Sequence, residues 1–145
     1  MIEIRKVKIN ETIKLKIINM QNICLPEDEP IEPTECTKED KNWWWVGTEG
    51  YKPVCFANLK QSFQWLDTVY LARSGVLPKW RGQGLQKKMI TIREKFAKKL
   101  GYNWVITDTT DNLPSSNSLI SKGYKMFYPS NPWGNSNSLY WRKKL

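Results

Sequence analysis

Apolar and polar positions alternate through residues 2–9 (IEIRKVKI), the period of a strand with one buried face. From Asn10 to Cys24 the period lengthens: Ile13, Ile17, Ile18 and Met20 recur at helical spacing, with Glu11 and Thr12 placed to start a helix. The stretch LPEDEPIEPTECTKED sets three prolines among many acids and predicts a loop or a short irregular helix. Trp43–Thr48 and Pro53–Leu59 predict two strands turning at Glu49-Gly50, and Thr68–Leu77 predicts a third. The segment PKWRGQG then leads into a helix with the apolar stripe Leu85, Met89, Ile92, Phe96 and Leu100, closed by Gly101. Asn103–Thr107 reads as a short strand and Ser115–Ser121 as a short helix ended by Gly123. Tyr124–Tyr128 and Ser138–Arg142 are the last two strands, around a Pro/Gly/Asn loop. The order β-α-loop-β-β-β-α-β-α-β-β predicts an α/β fold with strands of mixed direction.

A chain of 145 residues without repeats or a Pro/Gly linker predicts one domain, residues 1–145. No apolar run approaches the ~18–20 residues of a membrane span. The opening MIEIRKVKIN lacks the apolar core of a signal peptide, so a cytoplasmic location is expected. The three cysteines, Cys24, Cys36 and Cys55, form no CxxC spacing and read as reduced thiols rather than a disulfide framework or zinc site. There is no histidine, which excludes Ser-His-Asp and Cys-His hydrolysis, HExxH proteolysis and His-based phosphotransfer. No carboxylate cluster has the look of a metal site, so none is expected.

Charge is divided along the chain. Residues 1–72 carry 9 Lys/Arg and 11 Asp/Glu, a net of −2, whereas residues 73–145 carry 14 and 3, a net of +11. The halves point to different partners, a cation for the first and an anion for the second. Surface lysines that only solubilise the domain are the plainer reading.

The anion has a candidate seat in Val76-Leu77-Pro78-Lys79-Trp80-Arg81-Gly82-Gln83-Gly84-Leu85. A strand ends, and a turn with Gly82 and Gly84 enters a long helix; backbone N–H groups and the helix dipole converge on one small volume. The spacing is not that of a Walker loop, and Lys87 stands where a dinucleotide fingerprint has its third glycine.

The pattern V-x-P-x-x-R-G-x-G before an amphipathic helix resembles the coenzyme-A motif of the GNAT (GCN5-related) N-acetyltransferase superfamily, here Val76, Pro78, Arg81, Gly82 and Gly84. A second segment, Asn112-x-x-Ser115 followed by Gly123-Tyr124, is similar to the family's N-x-x-[AS]…G-[FY] pattern. The resemblance is strong over Thr68–Tyr128. It implies a mixed central sheet of about six to seven strands, flanked by about three to four helices, with a splayed strand pair holding the cofactor. That cofactor is acetyl-CoA, with its pyrophosphate on the backbone of Arg81, Gly82, Gln83, Gly84, Leu85 and Gln86. The pantetheine would lie along Val76 and Leu77 and bond Asn112 and Ser115. Lys122, Lys87 and Lys88 would face the 3′-phosphate, and Gly75 would sit at the strand bulge.

The implied reaction is direct attack of an amine on the acetyl thioester. The Val76 N–H would stabilise the oxyanion, and carboxylate and hydroxyl groups would move protons. The family's usual tyrosine acid falls on Leu119, which leaves Ser118, Tyr124 or Tyr128 as substitutes. For the base, the strand Thr68–Leu77 holds no glutamate, and Asp67, Glu49 and Tyr70 are the nearest candidates; each also has a structural reading. The acidic run Glu27, Asp28, Glu29, Glu32, Glu35, Glu39 and Asp40 would draw a cationic amine such as a lysine, peptide N-terminus, polyamine or aminoglycoside.

Relatives of this kind also form homodimers through the last strands. Two other readings stay open. Basic charge interleaved with Trp104, Tyr124, Phe127, Tyr128, Trp133, Tyr140 and Trp141 suits a nucleic acid, including an aminoacyl-tRNA acceptor. Leu119 at the acid position suits an acyl-CoA-binding module without turnover.

Overall fold

A computed structural model describes residues 1–25, 31, 35–36 and 40–145. Among the described residues seven strands and three α-helices follow in the order β1 (Ile2–Val7), α1 (Glu11–Cys24), β2 (Asn42–Glu49), β3 (Lys52–Gln61), β4 (Thr68–Val76), α2 (Leu85–Lys99), β5 (Trp104–Thr110), α3 (Leu113–Ser121), β6 (Lys125–Phe127) and β7 (Ser138–Lys144). The strands form one mixed sheet, as the resemblance implied, and their order in it is β1-β2-β3-β4-β5-β7-β6. Of the acidic run after α1, Glu35 and Asp40 are described; the other five acids lie outside the described residues. No helix among the described residues is long and apolar enough to cross a membrane.

The chain divides into two compact units, and the division falls inside β4 and inside α2. The first comprises Met1–Lys60 and Ala72–Met89. Its strands β1, β2 and β3 are antiparallel, with a register shift at Gly47/Thr48. The helix α1 starts where Asn10 caps it, its side-chain oxygen accepting the Ile13 N–H at 2.9 Å. Ile17 and Met20 pack in one core with Trp44, Val46 and Phe56, while Val54, Ala57 and Val76 pack with Trp80, Leu85 and Met89 in another. Neighbouring tryptophans on a strand face opposite ways, and here both Trp44 and Trp45 are buried.

Gly75 has a packing reason to be glycine. A Cβ there would lie 2.8 Å from the Phe56 ring and 3.1 Å from the Cys24 Sγ. Gly75→Ala is therefore expected to destabilise the protein by about 1–3 kcal/mol, read as a shift of the urea midpoint at unchanged slope.

The second unit comprises Gln61–Leu71 and Ile90–Leu145. Here β4 runs parallel to β5, which pairs antiparallel with β7, and β7 with the three-residue edge strand β6. The strand β5 is longer than its apolar core predicts: Asp108, Thr109 and Thr110 continue it by pairing with Tyr140, Leu139 and Ser138. Likewise α3 begins two residues before its predicted start, at Leu113, because Asn112 is its cap.

The stripe expected on α2 is buried at Leu85 and Met89 and half-buried at Ile92 and Phe96, and charged residues join it. Arg93, Glu94 and Ala97 are buried, whereas Leu100 is exposed. The charges survive there because Tyr124 donates to Glu94 at 2.7 Å and Lys143 pairs with it at 3.1 Å. Burial lowers the Arg93 pKa to about 10, opposed by the nearby Tyr124 and Glu94.

Candidate functional site

In the first unit the predicted residues Val76 to Gln86 form one continuous feature. The end of β4 is fixed by the Leu77 N–H, which donates to the Val54 carbonyl at 2.9 Å. A single 3-10 turn, Pro78–Trp80, then redirects the chain. The Trp80 indole N–H donates to Glu49 at 2.5 Å, and Lys52 and Lys79 each stand 5.1 Å over its ring. Glu49, a candidate base, is thereby engaged by the turn.

Arg81 folds back on the same turn. Its Nε donates to the Val76 carbonyl at 3.0 Å and its guanidinium reaches the Cys24 carbonyl at 3.5 Å, while its own amide donates to Pro78 at 3.3 Å. The side chain braces the strand end that the resemblance assigns to the oxyanion. Gly82 and Gly84 follow with φ of 81° and 74°, which L side chains avoid. Beyond each, nothing lies within 4 Å of where a Cβ would stand, so the turn faces open space.

The first intrahelical bond of α2 is Lys88 N–H to Gly84 C=O at 3.0 Å. The amides of Gly84, Leu85 and Gln86 precede it and have no acceptor within the helix. In the same turn the Gln86 Oε1 is buried without a partner. Free donors, positive helix end, open space and an orphaned amide oxygen fit a ligand with phosphate oxygens and polar linkages, as CoA has. Gln83 is exposed between the glycines.

In the second unit the Asn112 Oδ1 accepts the Ser115 N–H at 3.1 Å, so this pair builds the head of α3. The Lys122 Nζ donates to the Thr91 hydroxyl at 2.5 Å, a neutral partner that leaves its charge available to an anion. Leu119, at the position of the family acid, is buried and packs rather than reacts.

Two of the catalytic candidates are already occupied. The Tyr124 hydroxyl is buried and donates to Glu94; burial, then the Glu94 charge and that hydrogen bond, push its pKa far above the ordinary tyrosine value. Asp67 is exposed, stands before the first residue of β4, and accepts from Thr68 Oγ1 at 3.0 Å and Asn103 Nδ2 at 3.4 Å. Its carbonyl accepts the Asn103 N–H at 2.8 Å, so it ties the start of β4 to that of β5. Both side chains have structural work that accounts for them.

One carboxylate escaped the sequence reading. Asp108 is half-buried on β5 and accepts from the Tyr70 hydroxyl at 2.6 Å and the Trp133 indole N–H at 2.9 Å, both on Oδ1. The only sequence signal was an acid following an apolar strand core.

A family model described as the acetyltransferase (GNAT) family matches residues 15–122. Among solved structures, an acetyltransferase from Streptococcus agalactiae superposes with a TM-score of 0.80 at 19% identity, covering 99% of this chain and 98% of that one. The ribosomal-protein-S18-alanine N-acetyltransferase from Escherichia coli gives a TM-score of 0.77 at 12% identity, covering 98% and 94%. A Bacillus subtilis acetyltransferase in complex with CoA gives 0.73 at 14% identity, covering 100% and 99%. No curated protein matches in sequence. At such identities the likeness to these structures is one of fold.

Proposed function

We propose that this chain, which belongs to the acetyltransferase (GNAT) family, is a cytoplasmic N-acetyltransferase that passes the acetyl group of acetyl-CoA to a primary amine within a ternary complex. The observation that carries this reading is the glycine turn at the head of α2, open and lined with unpaired backbone donors. Acetyl-CoA, when bound, supplies an acetyl group already activated as a thioester.

The protein's own groups divide the remaining tasks. The amides from Gly82 to Gln86 would hold the pyrophosphate, and the edge of Val76 and Leu77 the pantetheine. Asn112 and Ser115 would bond that arm, and Lys122 would meet the 3′-phosphate. The Val76 N–H would receive the developing charge on the carbonyl oxygen. Proton delivery to the leaving thiolate falls to solvent or to a hydroxyl not already engaged, such as Ser118 or the exposed Tyr128.

The nucleic-acid reading loses support because most of its aromatic residues are engaged: Tyr124, Tyr140 and Trp141 are buried, and Phe127 and Trp133 pack on Tyr140. A binding module without turnover gains support from Leu119 and from the committed Tyr124 hydroxyl.

Calorimetric titration with acetyl-CoA tests the main reading. Micromolar binding is expected, weakened about tenfold in Arg81→Ala because the turn loses the bonds to Val76 and Cys24. Folded protein that takes up neither acetyl-CoA nor CoA would end it. Binding without amine-dependent thiol release would select the module instead.

A further inference from the structure

The pairing of β4 with β5 stops early. Paired residues run from Thr68↔Trp104 to Tyr70↔Ile106, yet β4 continues to Val76 and β5 to Thr110. Two side-chain bonds stand where the backbone ladder ends. On one face the Thr107 hydroxyl donates to the Leu71 carbonyl at 2.9 Å, in place of a strand N–H. On the other, Tyr70 reaches one alternation further along β5 and donates to Asp108 at 2.6 Å.

Asp108 therefore marks the fork in the parallel pair. Its Oδ1 takes both the Tyr70 hydroxyl and the Trp133 indole N–H. Its Oδ2 has no donor, and no cation pairs with it, among the described residues. Around it the rings of Tyr70, Phe127, Trp133 and Tyr140 pack against one another, with centroids 4.7–6.5 Å apart. A half-buried carboxylate held by two neutral donors, one oxygen unused, beside aromatic faces, is a receptor for an organic ammonium.

We propose that Asp108 is the catalytic carboxylate for the acceptor, binding its ammonium through Oδ2 and taking the proton that leaves nitrogen during transfer. The inference rests on the N-acetyltransferase reading. The ammonium (pKa roughly 10) sheds one proton to solvent through the carboxylate. The freed lone pair then forms the N–C bond to the acetyl carbonyl carbon. As the C–S bond breaks, the second nitrogen proton passes to Asp108, and the thiolate leaves to be protonated by solvent. The balance is one ammonium and one thioester giving one amide, one thiol and one proton. Tyr70 and Trp133 are positioning residues that fix the carboxylate and leave Oδ2 facing the amine.

Trp133 supplies a readout that needs no cofactor. Its indole 1H–15N resonance, identified with Trp133→Phe, reports the state of the carboxylate it bonds. Titration with n-butylammonium is expected to shift that resonance saturably in the wild type and to leave it unmoved in Asp108→Asn. With acetyl-CoA and n-butylamine, Asp108→Asn is expected to lower amine-dependent thiol release at least a hundredfold, with the acetyl-CoA dissociation constant unchanged within twofold. Asp108→Glu should recover part of the rate. An unmoved wild-type resonance, or an Asp108→Asn enzyme as active as wild type, overturns the inference and leaves the cofactor reading standing. Wild-type protein that fails to bind acetyl-CoA strikes the reading beneath it instead.

Discussion

Gly84→Glu is expected to reduce acetyl-CoA affinity more than a hundredfold while leaving the fold intact. Gly84 has φ of 74°, where an L side chain costs about 1–2 kcal/mol. No protein atom lies within 4 Å of its Cβ direction, so the side chain has room to exist. What it meets is the space into which the free amides of the α2 head point. A carboxylate there competes for the same donors and repels phosphate oxygens. Calorimetry against wild type gives the affinity, and a thermal melt within about 5 °C of wild type confirms the fold. Unchanged binding would mean that the glycine turn does not hold the cofactor, and the proposed function would lose its support.

Glu94→Leu is expected to be the most damaging single change to stability in the second unit, about 3–5 kcal/mol and a fall in Tm of about 10 °C or more. Glu94 accepts from Tyr124 at 2.7 Å and pairs with Lys143 at 3.1 Å, beside an Arg93 that is 2% exposed. Leucine matches the apolar surroundings but strands the buried Tyr124 hydroxyl and removes the anion next to a buried guanidinium. Glu94→Gln keeps an acceptor for Tyr124 and should lose roughly half as much. Chemical denaturation of the three proteins decides it. A loss below about 1 kcal/mol in Glu94→Leu would show that burial of the α2 stripe, not this network, holds the helix.

These two residues also mark the limits of the sequence. The glycine turn was readable because its constraint is local: positive φ at Gly82 and Gly84 follows from the chain within a few residues. The same holds for the element order, whereas the caps Asn10 and Asn112 emerge only in the structure. The apolar stripe of α2 is legible at Leu85 and Met89, but periodicity counts hydrophobicity and gives no sign of the buried Arg93 and Glu94. Glu94 finds its partners in β7 and the segment after α3.

The candidates for proton transfer show the same dependence on partners. Asp67 accepts from the neighbouring Thr68, whereas Glu49 accepts from Trp80 and Tyr124 donates to Glu94, partners from distant parts of the chain. Asp108 looked like the polar end of a short strand. Only the pairing of β5 with β7, and the reach of Tyr70 and Trp133 across to it, keep a carboxylate there and leave one oxygen unused.

By itself the sequence determined the α/β order, the glycine turn and the family, because backbone conformation and hydrophobic period are written in neighbouring residues. The tertiary structure alone decided which acids and hydroxyls are already engaged. A side chain's chemistry is set by the partners that folding brings to it, and those come from distant parts of the chain.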